Sequence, residues 1–133
     1  MCTAVVASEA FIFEDVPEAG PDVYVAALPT GIASSSALLD ALYVALQLPG
    51  YFGFNWDALS DCLRDLHWIN KRMVVLRHGD LPAFPESELR IYLDVLSEAV
   101  TSWGAADEHS LVVSFPGDVR CNLEKVLCAQ SLN

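Results

Sequence analysis

The chain has 133 residues, carries 18 acidic against 7 basic side chains for a formal charge of −11, and is 53% hydrophobic. That length is one domain over 1–133 with a core needing no disulfide or metal staple, and that hydrophobic content excludes a disordered chain. The acidic balance argues against direct nucleic-acid binding and suits either a basic partner or a merely soluble surface, and no apolar run approaches the roughly 20 residues of a membrane span.

Two short apolar runs open the chain, Thr3–Ala7 and Ala10–Phe13, a hairpin or one strand and a turn. No basic segment precedes them and Glu9 interrupts them, so they do not read as a secretory signal. A cytoplasmic location follows as the expectation, with Cys2, Cys62, Cys121 and Cys128 as free thiols. None of the four forms a Cys-x-x-Cys pair, so zinc is not expected. Residues 14–21, rich in acids, Pro and Gly, read as a loop. Val23–Leu28 has the compact apolar composition of a buried strand, ended by Pro29-Thr30-Gly31.

Ser34, Ser35 and Ser36 then offer N-caps for a helix with Leu38, Leu39, Leu42, Ala45 and Leu46 at helical spacing, stopped by Pro49-Gly50. A loop Tyr51–Phe54 follows. Asn55 is a natural N-cap for a second helix running to about Leu66. Met73–Leu76 reads as a second buried strand, and residues 79–85 as a loop. A long helix is expected from about Pro85 to Trp103, with Leu89, Tyr92, Leu93, Leu96, Ala99, Val100 and Trp103 as its core stripe and Gly104 closing it in a left-handed conformation. Ser110–Phe115 is the third strand, ended by Pro116-Gly117. Asn122 to about Gln130 reads as a short helix with Leu123, Val126 and Leu127 inward. Strands separated by helices imply an α/β layer fold: a three-stranded parallel sheet packed by helices, with the N-terminal segment a candidate extra edge strand.

The informative stretch is the second helix. At roughly 100° per residue, Leu59, Cys62, Leu63 and Leu66 fall on one face, while Asp57, Asp61 and Asp65 fall at i, i+4 and i+8 on the other. Arg64 alone lies near them as a neutraliser. Asp is a mediocre helix former, and like charges at i, i+4 repel by a few tenths of a kcal/mol per pair. Asp57 gains from the helix dipole, but Asp65 stands near the wrong end. A row of carboxylates on a rigid helix can imitate a row of phosphates and form charge-assisted hydrogen bonds to the Arg, Lys and His of a nuclease site. A solvated acidic face is the plainer reading of the same residues.

The stretch from Leu46 to Leu63, with Leu48-Pro49-x-Tyr51-Phe52-Gly53-x-Asn55-x-Asp57-Ala58-Leu59-x-Asp61-Cys62-Leu63, resembles the signature of the barstar family, intracellular inhibitors of ribonucleases. The order of strands and helices fits from about residue 23 to 115, leaving extensions at both ends. The resemblance implies that the loop and helix plug a ribonuclease active site. Tyr51, Gly53 and Asn55 match family positions in the loop, and Asp57 and Asp61 match its two principal helix carboxylates. Glu98-Ala99 matches a Glu-Ala pair on the long helix whose Glu meets a ribonuclease Arg. Asp65 has no acidic counterpart, so its role comes from spacing alone. Ser60 stands where the family has an interfacial Trp, Phe54 where it has an acid, and Trp56 where it has a Leu.

Tyr51 is the contact residue of the aromatic cluster; Phe52 and Trp56 read mainly as core or loop packing. Gly53 holds a positive φ or permits close backbone approach, and Cys62 reads as a buried small hydrophobe. His67, His78 and His109 have no metal spacing, and no phosphate-binding Gly-rich loop is present, so no metal or cofactor is expected. Lys71, Arg72 and Arg77 read as surface charge. The expected function is a non-catalytic inhibitor or immunity protein in a 1:1 complex with a basic ribonuclease or ribonuclease toxin domain. The site residues would be Tyr51, Gly53, Asn55, Asp57, Ser60, Asp61, Asp65 and Glu98. The rival is the same scaffold binding another basic toxin or regulatory protein, and an enzyme is disfavoured for want of a convergent catalytic set.

Overall fold

The computed structural model describes residues 11–14, 16–83, 85–104, 107 and 109–131, with side chains to Val126 in the last helix. The elements run β1 (Phe11–Ile12), β2 (Val23–Ala27), α1 (Ser35–Ala45), α2 (Trp56–Leu63), β3 (Met73–Arg77), α3 (Glu86–Ser102), β4 (Ser110–Ser114), a 3-10 turn (Gly117–Val119) and α4 (Arg120–Ser131). The expected run Thr3–Ala7 lies outside the described residues.

The strands form one parallel sheet in the order β1-β4-β3-β2. The three expected strands are all present, and the N-terminal segment adds the fourth at the edge, where Phe11 pairs with Val113 and Ile12 with Ser114. β3 lies between two neighbours, so Val74, Val75 and Leu76 are fully buried. The sequence reads β2 as a buried strand, and Ala26 is buried. The strand is the opposite edge of the sheet, however, and Val23, Tyr24 and Val25 are only half-buried there.

Both long helices start where their sequences place them. Ser34 caps α1, its Oγ accepting from the Ala37 N–H. α1 ends at Ala45, before Pro49-Gly50, because Gln47 turns left-handed at φ 52°. α3 starts after Pro85 and buries Leu89, Tyr92, Leu93, Leu96 and Ala99. Its end differs from expectation. Trp103 is extended at φ −88°, ψ 127°, and Gly104 takes no left-handed turn. The Gly104 N–H is instead met by Asp107 Oδ2 at 2.6 Å, so a side chain closes the segment. α3 packs on β4, α2 and α4, and Leu123 of α4 is fully buried.

A polar group sits inside this core. His78, at the end of β3, is 4% exposed and stacks on Phe115 with ring centroids 4.0 Å apart. Its Nδ1 lies 2.9 Å from the Ser114 carbonyl and its Nε2 2.6 Å from the Tyr92 hydroxyl. A carbonyl only accepts, so Nδ1 carries the proton and Nε2 accepts from Tyr92. Both nitrogens are thereby satisfied with the ring neutral. Burial pulls the His78 pKa down to about 4, against a smaller upward pull from Ser114.

The sign of the consequence follows. The unfolded chain takes up this proton near pH 6.5 and the folded chain only near pH 4, so stability is full above pH 6.5 and falls between those values. The loss approaches about 3 kcal/mol. A His78→Leu, Tyr92→Phe double variant should lack this component in urea unfolding from pH 7 to pH 4. An identical pH dependence in parent and variant would assign the acid loss elsewhere.

Candidate functional site

The site begins where α1 ends. The carbonyl of Ala45 accepts from the Tyr24 hydroxyl at 2.6 Å and that of Leu46 from Trp68 Nε1 at 3.0 Å. From this anchored end the chain runs through Leu48 and Phe52, both buried, to Asn55. Phe52 is core, as its sequence reading has it. Tyr51 points out, 69% exposed. Its hydroxyl is held above the usual value by partial desolvation, then by negative charge at Cys62 and Asp65, which places it in the field of the acidic segment.

Phe54, which the sequence marks only as standing where the family has an acid, is not among the expected site residues. It is 43% exposed and has φ 55°, a left-handed backbone that costs a non-Gly residue about 1–2 kcal/mol. Its ring lies 4.8 Å from that of Phe52 and 5.1 Å from that of Tyr43 of α1. The left-handed turn lets the ring fold back on this cluster while the chain proceeds to an extended cap. Gly53 does not hold the positive φ that was one of its two expected roles. The other role, close approach, fits: a Cβ there would meet Asn55 Nδ2 at 3.0 Å.

Asn55 is the N-cap of α2, with φ −141° and ψ 170°. Its Oδ1 accepts from the Ala58 N–H at 2.8 Å, and its Nδ2 donates to the Gly53 carbonyl at 3.3 Å. One side chain thus joins the loop to the helix. Behind the helix, Leu59, Cys62 and Leu63 are buried. Trp56 packs on Tyr92 of α3 with centroids 5.8 Å apart, and Trp103 Nε1 donates to the Leu63 carbonyl at 3.0 Å. The helix is held at both ends by α3.

Asp57 and Asp61 stand exposed on the outer side of α2, one turn apart, and Ser60 is half-buried beside Asp61. Asp61 is not bare: Arg64 Nη2 lies 3.2 Å from its Oδ1, in a pair exposed enough to be worth little on its own. The third acid is displaced from the expected row. α2 ends at Leu63, not near Leu66, because the backbone tightens and Leu66 turns left-handed at φ 54° to bury its side chain completely. Asp65 therefore lies past the helix, 2.6 Å from His67 Nδ1. That contact spans two residues and could not have been read from helical spacing.

Glu98 is exposed on α3, and among the described residues no hydrogen bond or ion pair joins it to Asp57 or Asp61. Cys62 is a free thiol, as is Cys121. Burial and then Asp65 and Asp61 push the Cys62 thiol up, the opposite of what a nucleophilic cysteine needs. Lys71, expected as plain surface charge, donates to the Pro21 carbonyl at 3.0 Å and ties the β2 entry turn to β3. No cluster of His, Cys, Asp and Glu among the described residues can hold a metal ion, and no described helix is long and apolar enough to cross a membrane.

The fold and this surface define a small parallel α/β protein that presents two carboxylates on a capped helix behind an aromatic loop. The model of the Barstar (barnase inhibitor) family matches residues 25–115, and the chain belongs to that family. No match is found among curated proteins. The matched span runs from β2 to the end of β4 and contains the whole loop and α2.

Because Asn55 alone caps α2, Asn55→Ala should destabilise the domain by about 1 kcal/mol in urea unfolding, and Asn55→Asp should restore most of it. An unchanged unfolding midpoint in Asn55→Ala would show that the loop, not the cap, sets the helix start.

Proposed function

We propose that the chain is an intracellular, non-catalytic inhibitor of a basic ribonuclease or ribonuclease toxin domain. It acts as a single domain, in the cytoplasm, in a 1:1 complex that leaves RNA itself unbound. The observation that carries this reading is the pair Asp57 and Asp61, exposed one turn apart on a helix whose position is fixed from behind. A ribonuclease cleft is lined by cationic groups that hold phosphate. Two carboxylates at helical pitch offer those groups charge-assisted hydrogen bonds and contain no bond to cleave.

Tyr51, Gly53 and Asn55 frame the contact from the loop, and Ser60 lies within it. Asp65 joins from the turn after α2, and Glu98 adds a second anchor from α3. Pre-organisation supports the same reading, since α2 is capped, packed and tied before any partner arrives, and little ordering remains to be done on binding.

Barnase is the natural first target, followed by other basic ribonucleases. Asp57→Ala with Asp61→Ala should abolish inhibition of RNA cleavage while the urea midpoint stays near that of the parent. Inhibition unchanged in that double variant would sink the mechanism.

Arg64 bears on the rate. It competes with the partner for Asp61 and adds positive charge beside the acids. Arg64→Ala should therefore associate a few-fold faster at low salt, with the advantage shrinking as salt screens it. Equal association rates at every salt concentration would count against steering by this surface.

The half-buried Ser60 supports a second reading. A small side chain between the acids leaves room for a bulkier target surface, as in a different basic toxin or a regulatory protein. Capture of such a protein by the parent chain and its loss in the Asp57, Asp61 double variant, with barnase left fully active throughout, would favour it.

A further inference from the structure

Phe54 packs on Tyr43 and Phe52 in tilted ring contacts and, 43% exposed, also lines a cleft. The cleft has a volume of about 240 Å³ and is lined by Ser35, Ser36, Leu39, Asp40 and Phe54. It joins the first turns of α1 to Phe54 in the loop that leads into α2. Its contents are specific. Leu39 supplies a buried apolar side, Phe54 an exposed aromatic ring, and Asp40 an exposed carboxylate that enters no ion pair among the described residues.

We infer that this cleft takes an arginine side chain of the bound partner, and that Phe54 and Asp40 determine specificity for it. The inference rests on reading the loop and α2 as a partner-binding surface. A guanidinium is planar, stacks on aromatic faces and pairs with a carboxylate through two donors, while its aliphatic stem needs apolar cover. The cleft offers all three. A lysine ammonium would use the carboxylate but gain less from the ring, and an apolar side chain would leave Asp40 facing it without a counter-charge. The chain's charge of −11 favours a cationic occupant.

One feature opposes a cation, the positive end of the α1 dipole. It is weakened locally, because the Ala37 N–H is already taken by Ser34 Oγ and the Ser35 hydroxyl donates to Glu88, which brings a second carboxylate near. A full charge on Asp40 outweighs the roughly half charge of a helix end.

The test uses N-acetyl-arginine amide as probe, titrated into the full chain and followed by backbone amide shifts. Saturable shifts at Ser36, Asp40 and Phe54 are expected, and they should vanish in Asp40→Asn. Phe54→Gly should also abolish them, since glycine accepts the left-handed backbone and removes only the ring. N-acetyl-norleucine amide should produce none. Equal shifts with the norleucine probe, or arginine shifts confined to Asp57 and Asp61, would overturn the assignment.

With barnase as partner, Phe54→Gly should raise the dissociation rate about tenfold. Parental rates in Phe54→Gly and Asp40→Asn, together with loss of binding in Asp57→Ala, would remove the cleft and leave the inhibitor reading standing. No inhibition of barnase or other basic ribonucleases by the parent chain, with the arginine shifts present, would remove the inhibitor reading and leave the cleft.

Discussion

A helix that ends against other structure leaves carbonyls that water cannot reach, and each needs a donor. Neither α1 nor α2 has a basic residue in its last turn to supply one. Aromatic side chains do so: Tyr24 and Trp68 at the end of α1 and Trp103 at the end of α2, where the C-cap Arg64 also donates its Nε to the Ser60 carbonyl at 3.3 Å. Each aromatic bond also crosses between elements. Tyr24 brings the edge strand to α1, Trp68 brings the segment after α2 to the same spot, and Trp103 fastens α2 to α3. The loop of Tyr51 and Phe54 is suspended between these fixed points. Its exposed groups keep their places because their backbone is held at both ends, and not because they touch one another.

Against that frame, the charges are arranged at some cost to the isolated molecule. Asp57 and Asp61 repel weakly, and Arg64 relieves only one of them. Asp65 escapes the row altogether and takes His67 as its neighbour. The buried polar group follows the opposite logic. His78 is kept neutral with both nitrogens bonded, because an unpaired charge among Phe115, Tyr92 and Ser114 would be far more expensive than the hydrogen bonds that replace it. Charge is therefore kept outside, where a partner can meet it.

Much of this was legible in the sequence where the cause is local. Asn55 and Ser34 place their helix starts through their own side chains, and the apolar stripe of α3 names its buried face residue by residue. The composition of Val23–Ala27, Met73–Arg77 and Ser110–Ser114 marks the strands. What stayed hidden depends on distant residues. α2 stops early because Leu66 turns into the core, which is a tertiary choice. His78 is buried by a tyrosine fourteen positions on. β2 is half-exposed because nothing pairs with its outer edge among the described residues, and pairing order is not written in any single strand. At the site, Asp57 and Asp61 could be read from spacing, whereas Phe54 showed in the sequence only as a departure from the family pattern, its exposure and left-handed backbone being tertiary facts.

The sheet order has a consequence for how the protein comes into being. β1, the earliest strand described, pairs with β4, the latest, across about a hundred residues of chain. The middle pairs β2 with β3 and β3 with β4 join strands that follow one another in sequence, whereas the outer edge closes only with the last strand described. The acidic helix also waits, since Trp56 and the Leu63 carbonyl find Tyr92 and Trp103 only after α3 has emerged. The outer edge of the sheet and the seat of the acidic helix are thus completed only by segments that follow them in sequence, so both depend on α3 and β4 being in place.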